Sequence, residues 1–158
     1  MGSDTGDAAA VRIPPPLLYL AAVLVGVLLH AFVLALPLRL AVGVRIGTSV
    51  GAAVLGCVLM GAAMRTFTHT GQDPKPWKAT PALVSTGVFR FTRNPMYVGM
   101  ALLQAAIGIG LANGWVILLI VPVLYGVFAT AIRHEEVYLE GKFGDDYVEY
   151  KMSVRRWL

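Results

Sequence analysis

Charged residues are scarce in this chain of 158 residues, and their scarcity excludes an ordinary soluble domain. Asp, Glu, Lys and Arg make up 14% of the sequence, hydrophobic residues make up 57%, and the mean hydropathy is +0.69. A soluble domain carries about 25% charged residues. The deficit therefore indicates a chain that lies in lipid.

Cysteine and basic stripes are equally scarce. Cys57 is the only cysteine, and no group of His, Cys and Asp residues has metal-ligand spacing, so we expect no disulfide framework and no bound metal. The formal net charge is +4, from 13 Lys and Arg against 9 Asp and Glu. Without a basic stripe interleaved with aromatics, this excess fits membrane lipids better than nucleic acid.

Long apolar runs are what the sequence has instead. Four occur, at 17–36, 46–64, 96–111 and 115–132. A membrane-spanning helix needs roughly 20 apolar residues, so the runs predict an all-α polytopic membrane protein with about four transmembrane helices. The third run is short for a bilayer, and we expect its helix to tilt or to end before the far face.

Three local signals refine the helices. Ala112-Asn113-Gly114 is a tight turn that makes the last two runs a short antiparallel hairpin. Pro122 should kink the fourth helix. In the second run, Gly47 and Gly51 have the spacing that permits close helix approach.

The chain divides into a polar tail at 1–16, two transmembrane helices within 17–64, and a core at 65–158. Basic residues concentrate between the second and third runs and after the fourth, so the positive-inside rule places the middle loop and both termini in the cytoplasm. We expect the loop at 66–92 to cover the cytoplasmic end of the hairpin, and the tail to form a further amphipathic helix capped by Asp145 or Asp146. Interfacial anchors are expected at four aromatic residues, Tyr19, Trp77, Trp115 and Trp157.

Polar residues flank the hairpin at both of its free ends. Arg93-Asn94-Pro95-Met96-Tyr97 precedes the third run, and Glu135-Glu136 follows the fourth. Polar groups at the margin of a bilayer are costly, which favours a functional interpretation. The antiparallel hairpin should bring these two segments together on one side of the membrane, as a candidate ligand site.

Each segment also has a purely structural interpretation. Asn94 is a favoured helix N-cap and Pro95 a favoured first helical residue. The free N–H groups of that helix start can hold a ligand carboxylate with help from Arg90 and Arg93. The glutamates can hold an ammonium group or another positive centre, or they can simply pair with nearby cations such as Arg133, His134 and Lys142.

A series of spaced motifs runs through residues 66–158. The motifs are Thr70-Gly71 with Pro74, the stretch from Leu83 to Gly99, Trp115 with Pro122, Glu135-Glu136 with Leu139, Phe143-Gly144 with Tyr147 and Tyr150, and Val154 with Arg156-Trp157. In this order they resemble the isoprenylcysteine carboxyl methyltransferase family, which includes bacterial membrane proteins and the phospholipid N-methyltransferases.

The resemblance implies an integral membrane methyltransferase that uses S-adenosylmethionine, with a lipid-like substrate entering from the bilayer of a bacterial inner membrane. It implies cofactor binding by Leu83, Val84, Gly87, Arg93, Asn94, Pro95, Tyr97 and Glu136, and catalytic roles for Glu135, Glu136 and Arg133. Two positions depart from the eukaryotic carboxyl methyltransferases. Asn94 replaces a histidine, and Ala131 stands where those enzymes have an arginine, with Arg133 the nearest basic residue.

Two other functions stay open from the sequence. The first is a membrane reductase that uses NADPH, because sterol reductases have a similar C-terminal helical arrangement. The second is a membrane protein that binds ligands or partners without catalysis. If the protein is a methyltransferase, the acceptor group can be a carboxylate, a thiol, an amine or a hydroxyl.

Overall fold

The computed structural model describes residues 14–69 and 82–157, and this part of the chain is α-helical. An isolated bridge between Pro37 and Asn113 is its only extended pairing. The α-helices are α1 Pro15–Phe32, α2 Val42–His69, α3 Pro95–Gly110, α4 Gly114–Leu118, α5 Ile120–Val127, α6 Arg133–Phe143 and α7 Asp145–Ser153. A 3₁₀ turn at Gly87–Arg90 precedes α3, and a π-helical turn at Phe128–Ile132 joins α5 to α6.

Three apolar segments are long enough to cross a membrane. They are α1, α2 and the nearly continuous rod Gly114–Phe143, and the apolar α3 is shorter at 16 residues. Their outer faces carry exposed leucines, such as Leu20, Leu24 and Leu28, each more than half accessible. Apolar faces of this extent, on segments of membrane-spanning length, are typical of contact with lipid. The chain is therefore an all-α polytopic membrane protein, as the apolar runs predicted.

The first helix is shorter than its apolar run, which continued to Leu36. α1 ends at Phe32, and the following residues pair with the hairpin turn instead. The Leu36 carbonyl accepts from the Gly114 N–H at 2.8 Å, and the Leu34 carbonyl accepts from the Trp115 indole at 2.7 Å. Hydrogen bonds to a distant turn thus replace the helical ones, which hydropathy alone does not reveal.

The predicted hairpin forms, and its turn is held by Asn113. The Asn113 side chain accepts from the N–H groups of Trp115 and Val116, and it donates to the Gly26 carbonyl at 3.2 Å. The second arm breaks at Leu119, three residues before Pro122. Pro122 has no N–H to donate to the Leu118 carbonyl, so this break is the expected consequence of the proline.

Close packing of α2 on α3 uses a different glycine pair from the predicted one. A Cβ atom added to Gly47 or Gly51 would meet nothing within 4 Å, whereas one added to Gly56 would lie 2.9 Å from the Gly99 carbonyl oxygen. Small residues let helix backbones approach where no hydrophobic driving force exists between them. The prediction of close approach at Gly47 and Gly51 within this chain is wrong, because these glycines lie on the outer face of α2.

The C-terminal region follows the predicted order with one correction at the cap. α6 ends at Phe143, and Gly144 turns the chain with a φ of +54°. α7 then starts without any side-chain cap, so neither Asp145 nor Asp146 plays the predicted role. A backbone with positive φ favours glycine, and the Gly144 carbonyl accepts from the N–H groups of Tyr147 and Val148 at the start of α7.

Candidate active site

The free ends of the hairpin meet, and the π-helical turn Phe128–Ile132 sets the position of the glutamates. It widens the rod by one residue just before Arg133, and the Thr130 hydroxyl donates to the Gly126 carbonyl at 2.7 Å. π-Helical turns of this kind occur frequently at functional sites. The glutamate pair that follows faces the first turn of α3.

Glu136 is bound by two arginines. Its Oε1 accepts from Arg93 Nη1 at 2.9 Å and from Arg156 Nε at 2.8 Å, and its Oε2 accepts from Arg156 Nη2 at 3.0 Å. The side chains of Arg93 and Glu136 are 9% and 15% exposed, whereas Arg156 is 36% exposed and lies over the Phe128 ring at 4.8 Å. The Glu136 charge is therefore fully compensated by charge-assisted hydrogen bonds. The hydrogen bond to Glu136 also raises the pKa of Arg156.

Glu135 has a different environment from its neighbour. Its Oε1 accepts a hydrogen bond from the Tyr97 hydroxyl at 2.8 Å, and within the described part of the chain no cation pairs with it and nothing donates to its Oε2. Tyr97 is buried, and its backbone carbonyl accepts from the Tyr19 hydroxyl at 2.9 Å. The helix α1 thus braces the residue that orients Glu135.

Asn94 and Pro95 start α3 as predicted, but the asparagine side chain does not cap the helix. Asn94 Nδ2 donates to the Arg156 carbonyl at 3.0 Å, and the Thr92 hydroxyl donates to the same oxygen at 3.2 Å. The backbone N–H of Arg93 donates to the Arg155 carbonyl at 3.0 Å. Residues 154–157, which we call the C-terminal strap, are therefore bound along the start of α3.

Two tyrosines of α7, Tyr147 and Tyr150, are buried just before the strap. Burial raises the pKa of Tyr147 above its usual value. The neighbouring Arg93 lowers this pKa, but by less than burial raises it. Burial likewise raises the pKa of Tyr150, whose hydroxyl donates to the Phe89 carbonyl at 2.8 Å. Both hydroxyls therefore keep their protons at neutral pH, and the hydroxyl of Tyr150 is the one that donates a hydrogen bond among the described residues.

The predicted adenosine-side residues form a separate cluster. Val84 is buried with Phe89 against Ala63 of α2, and Leu83 beside it is partly buried. Gly87 has a φ of +59°, and an added Cβ would lie 2.8 Å from the Thr66 hydroxyl oxygen. Among the residues that the structure describes, no hydrogen bond or ion pair joins these residues to the glutamates. The first turn of α3 joins this cluster to the glutamate side of the site. Met96 packs on the cluster of Val84 and Phe89, whereas Tyr97 belongs to the buried cluster that contains Tyr19 and Ala131.

Arg133 is not brought to the glutamate pair. Its side chain is exposed, and within residues 14–69 and 82–157 it makes no ion pair or hydrogen bond with Glu135 or Glu136. Ala131 is fully buried in the cluster around Tyr97. The cation beside Glu136 that sequence reasoning missed is Arg156, whose only signal was its place at the end of the spaced motifs.

Other predicted features have mixed outcomes. Tyr19 was expected to be an interfacial anchor and is instead a buried hydrogen-bond donor, which no sequence signal indicated. Trp77 and the middle of the expected covering loop, residues 70–81, lie outside the described residues, as do residues 1–13 of the polar tail. Within the described part of the chain, no three His, Cys, Asp or Glu side chains are placed to hold a metal ion.

The structure is that of a polytopic membrane protein in which a helical hairpin brings a polar helix start against a glutamate pair. A comparison with family models assigns the chain to a family. The model of the phospholipid methyltransferase family matches residues 44–146, about two thirds of the chain. The chain belongs to this family. The match excludes α1 with Tyr19 and the C-terminal strap with Arg156.

Curated relatives agree with the family. The chain is 32% identical over 111 residues to the protein-S-isoprenylcysteine O-methyltransferase of Saccharomyces cerevisiae, covering 63% of this chain and 46% of that protein. It is 32% identical over 97 residues to the enzyme of the same name from Dictyostelium discoideum, covering 61% of this chain and 40% of that protein. An uncharacterized Haemophilus influenzae protein is 40% identical over 63 residues, which are 40% of this chain and 100% of that protein.

The chain spans less than half of the length of these two named methyltransferases. No solved structure matches it.

Proposed function

We propose that the protein transfers a methyl group from S-adenosylmethionine to a hydrophobic or lipid-like acceptor at the cytoplasmic face of the membrane. The family and the relatives' names support methyl transfer. The observation that carries the proposal is the meeting of the hairpin ends, where Tyr97 binds Glu135 and Arg93 binds Glu136. Basic residues around this end support the cytoplasmic orientation, in a bacterial inner membrane.

The residues present fit such a donor, which is cationic at its sulfonium and ammonium groups. Glu135 supplies a carboxylate with no cationic partner among the described residues, and one of its oxygens accepts no hydrogen bond there. An anionic group at the margin of a bilayer is costly unless a cation compensates it. A positively charged ligand removes that cost.

The proposed roles follow the two clusters. The adenosine side is assigned to Leu83, Val84 and Gly87, and the start of α3 to the donor's amino-acid end, through Arg93, Asn94, Pro95 and Tyr97 with Glu136. Glu135 and Glu136 are assigned to catalysis. Arg133 also keeps its proposed catalytic role, although its exposed side chain makes it the weakest of these assignments.

The bound donor would supply an electrophilic methyl group. The protein's own contribution is orientation, because two reactants held in line react many orders of magnitude faster than free ones. Tyr97 fixes the Glu135 carboxylate, and the two arginines fix Glu136 and attach the C-terminal strap. Lipid around the hairpin keeps water away from the acceptor, whose apolar part would lie in the bilayer.

A thermal-shift experiment on the detergent-solubilised protein tests the donor. S-adenosylhomocysteine should stabilise the protein, and NADPH should behave as buffer does. Stabilisation by NADPH alone would identify a reductase instead, and stabilisation by neither would favour a non-catalytic membrane protein. Labelled-methyl transfer to a panel of lipids, prenyl thiols and phenols then tests catalysis.

Matched tyrosine variants separate the site from the rest of the fold. Tyr97→Phe should lower donor binding or turnover while the protein stays folded, since it removes the hydroxyl that orients Glu135. Tyr125→Phe is the control, because Tyr125 is 72% exposed on the lipid face. Equal donor affinity and turnover in both variants and the wild type would contradict the assignment of Tyr97.

Orientation has its own test. Single cysteines at Ser153 and Arg39, in a Cys57→Ser background, mark the two ends of the bundle. In right-side-out vesicles a membrane-impermeant maleimide should label position 39 and leave position 153 unlabelled until detergent is added. The opposite pattern would place the site on the other side of the membrane.

A further inference from the structure

The end of the bundle opposite the glutamates carries two arginines and no acidic residue among those described. Arg39 lies in the loop between α1 and α2, and Arg45 lies in the first turn of α2. The sequence has no Asp or Glu between Asp7 and Asp73 or between Asp73 and Glu135. The six acidic residues that the structure describes all lie in α6 and α7, at the end where α3 starts.

Hydrogen bonds place both arginines beside the turn of the hairpin. The residue before Arg39 donates its N–H to the Ala112 carbonyl at 2.9 Å. The Ser49 hydroxyl donates to the Ala106 carbonyl, in the last turns of α3, at 2.8 Å. Because α2 and α3 run antiparallel, Arg45, one helical turn before Ser49, lies level with the end of α3. The two cations therefore lie at the same end of the bundle.

Neither guanidinium group finds an acceptor in the described part of the chain. Neither side chain forms a hydrogen bond or an ion pair there, and Nε of Arg45 is buried without a partner. A buried donor that makes no hydrogen bond is costly, and like charges repel strongly outside bulk water. The positive end of the α2 dipole lies at the same place. An anion from outside the chain would compensate all three.

The surroundings of the arginines are apolar and face the bilayer. Val42, Val44 and Ile46, on either side of Arg45, are each more than half exposed. Trp115, a residue type enriched at the membrane–water boundary, lies in the first turn of α4 at the same end. The anion that fits is therefore attached to an apolar body, at the depth where the phosphates of membrane lipids lie.

We propose that this end of the protein binds the phosphodiester group of an anionic membrane lipid. Arg45 is the principal ligand, because a guanidinium can donate two parallel hydrogen bonds to a phosphate, and Arg39 is the second cation. The acyl chains lie along the exposed apolar face at the start of α2. A zwitterionic lipid fits less well, because its ammonium group finds no carboxylate there among the described residues. This lipid site is separate from the hairpin ends, where the methyl donor is proposed to bind.

A lipid in this position has a structural effect that can be measured. Among the described elements, α2 packs mainly against α3 and the 3₁₀ turn Gly87–Arg90, so its first turns have few protein neighbours. A phosphate held by Arg45 and Arg39 connects the start of α2 to the preceding loop. We therefore expect anionic lipid to stabilise the fold as well as to bind.

Native mass spectrometry of the detergent-solubilised full chain tests the binding. Phosphatidylglycerol and phosphatidylethanolamine with the same acyl chains are added separately, and the Kd of the first bound lipid is measured. The wild type should bind phosphatidylglycerol at least about fivefold more tightly, because an anionic headgroup gains about that factor from each nearby arginine. Equal affinities, or tighter binding of phosphatidylethanolamine, would overturn the proposal.

Substitutions locate the site. Arg45→Gln and Arg39→Gln should each weaken phosphatidylglycerol binding by about fivefold, whereas Arg45→Lys keeps the charge and should retain most of the affinity. Arg65→Gln is the matched control, since it removes the same charge from the other end of α2, where Arg65 is exposed beside His69. Its affinity for the first lipid should equal that of the wild type. Losses as large in Arg65→Gln as in Arg45→Gln would refute the location.

Thermal unfolding distinguishes a lipid from a free anion. Phosphatidylglycerol should raise the unfolding midpoint of the wild type, and its effect should be lost when Arg39 and Arg45 are both replaced by Gln. Inorganic phosphate and glycerol phosphate should leave the midpoint unchanged. Stabilisation by inorganic phosphate that depends on the two arginines would identify a site for soluble anions and overturn the lipid assignment. No stabilisation by phosphatidylglycerol would also overturn it. Neither readout involves S-adenosylhomocysteine, so these results are independent of the proposed methyl transfer.

Discussion

The ion cluster around Glu136 should be a main source of stability at this end of the bundle. Glu136→Gln keeps the shape of the side chain but leaves Arg93 and Arg156 facing each other without a counter-charge. The Arg93 side chain is only 9% exposed, so solvent compensates little of its charge. Removal of one partner from a buried ion pair costs about 3–5 kcal/mol.

Two comparisons set the scale of that loss. Glu140→Gln breaks an ion pair with Lys151 of similar length, 2.7 Å, whose side chains are 37% and 46% exposed. Exposed pairs contribute about 0–1 kcal/mol. Arg156→Met removes the more exposed arginine, and its loss of stability should lie between those of Glu136→Gln and Glu140→Gln. It loses a screened pair and a cation–π contact worth about 0.5–1 kcal/mol, but Glu136 keeps Arg93.

The assay is unfolding in mixed micelles with increasing SDS, followed by circular dichroism. The expected order of stability loss is Glu136→Gln, then Arg156→Met, then Glu140→Gln. Raising the salt concentration should weaken only the effect of the exposed pair, because buried pairs are screened much less. If Glu136→Gln costs no more than Glu140→Gln, the reasoning from burial is refuted.

Three further substitutions test the packing around the site. Tyr19→Phe should cost about 1 kcal/mol, since it removes one buried hydrogen bond, and an unchanged unfolding midpoint would contradict the bracing role of α1. Gly56→Leu should lower stability by about 1–3 kcal/mol because its side chain would overpack against α3. Gly51→Leu, on the open face of α2, should be close to neutral. Equal effects of these two leucines would refute the assigned α2 face. Gly87→Ala should cost about 1–2 kcal/mol because an L-residue is strained at its φ of +59°, and wild-type stability would argue against that backbone conformation.

Much of the fold could be predicted because the length and hydropathy of apolar runs identify membrane helices directly in the sequence. The hairpin turn at Asn113 and the break before Pro122 also follow from local chemistry, which one sequence shows directly. The meeting of Tyr97 with Glu135 was predictable in outline, since an antiparallel hairpin must return its second arm to the start of the first.

The rest depends on contacts between distant parts of the chain. The Tyr19 hydroxyl finds a carbonyl 78 residues away, and Arg156 reaches Glu136 only because α7 folds the C-terminal strap back onto α3. The glycine pattern of α2 could not show which of its faces meets α3, because Gly47, Gly51 and Gly56 all permit close approach. The end of α1 at Phe32 likewise depends on hydrogen bonds to the hairpin turn.

The central claim is that the methyl donor binds where the two free ends of the hairpin meet. Ultraviolet cross-linking of an azido-adenosine analogue of S-adenosylhomocysteine, followed by peptide mass spectrometry, tests it most directly. Labelled peptides should carry residues 83–97 or 133–136, and excess S-adenosylhomocysteine should abolish the label. Competable labelling confined to 33–41 and 112–116, at the opposite end of the bundle, would contradict the claim.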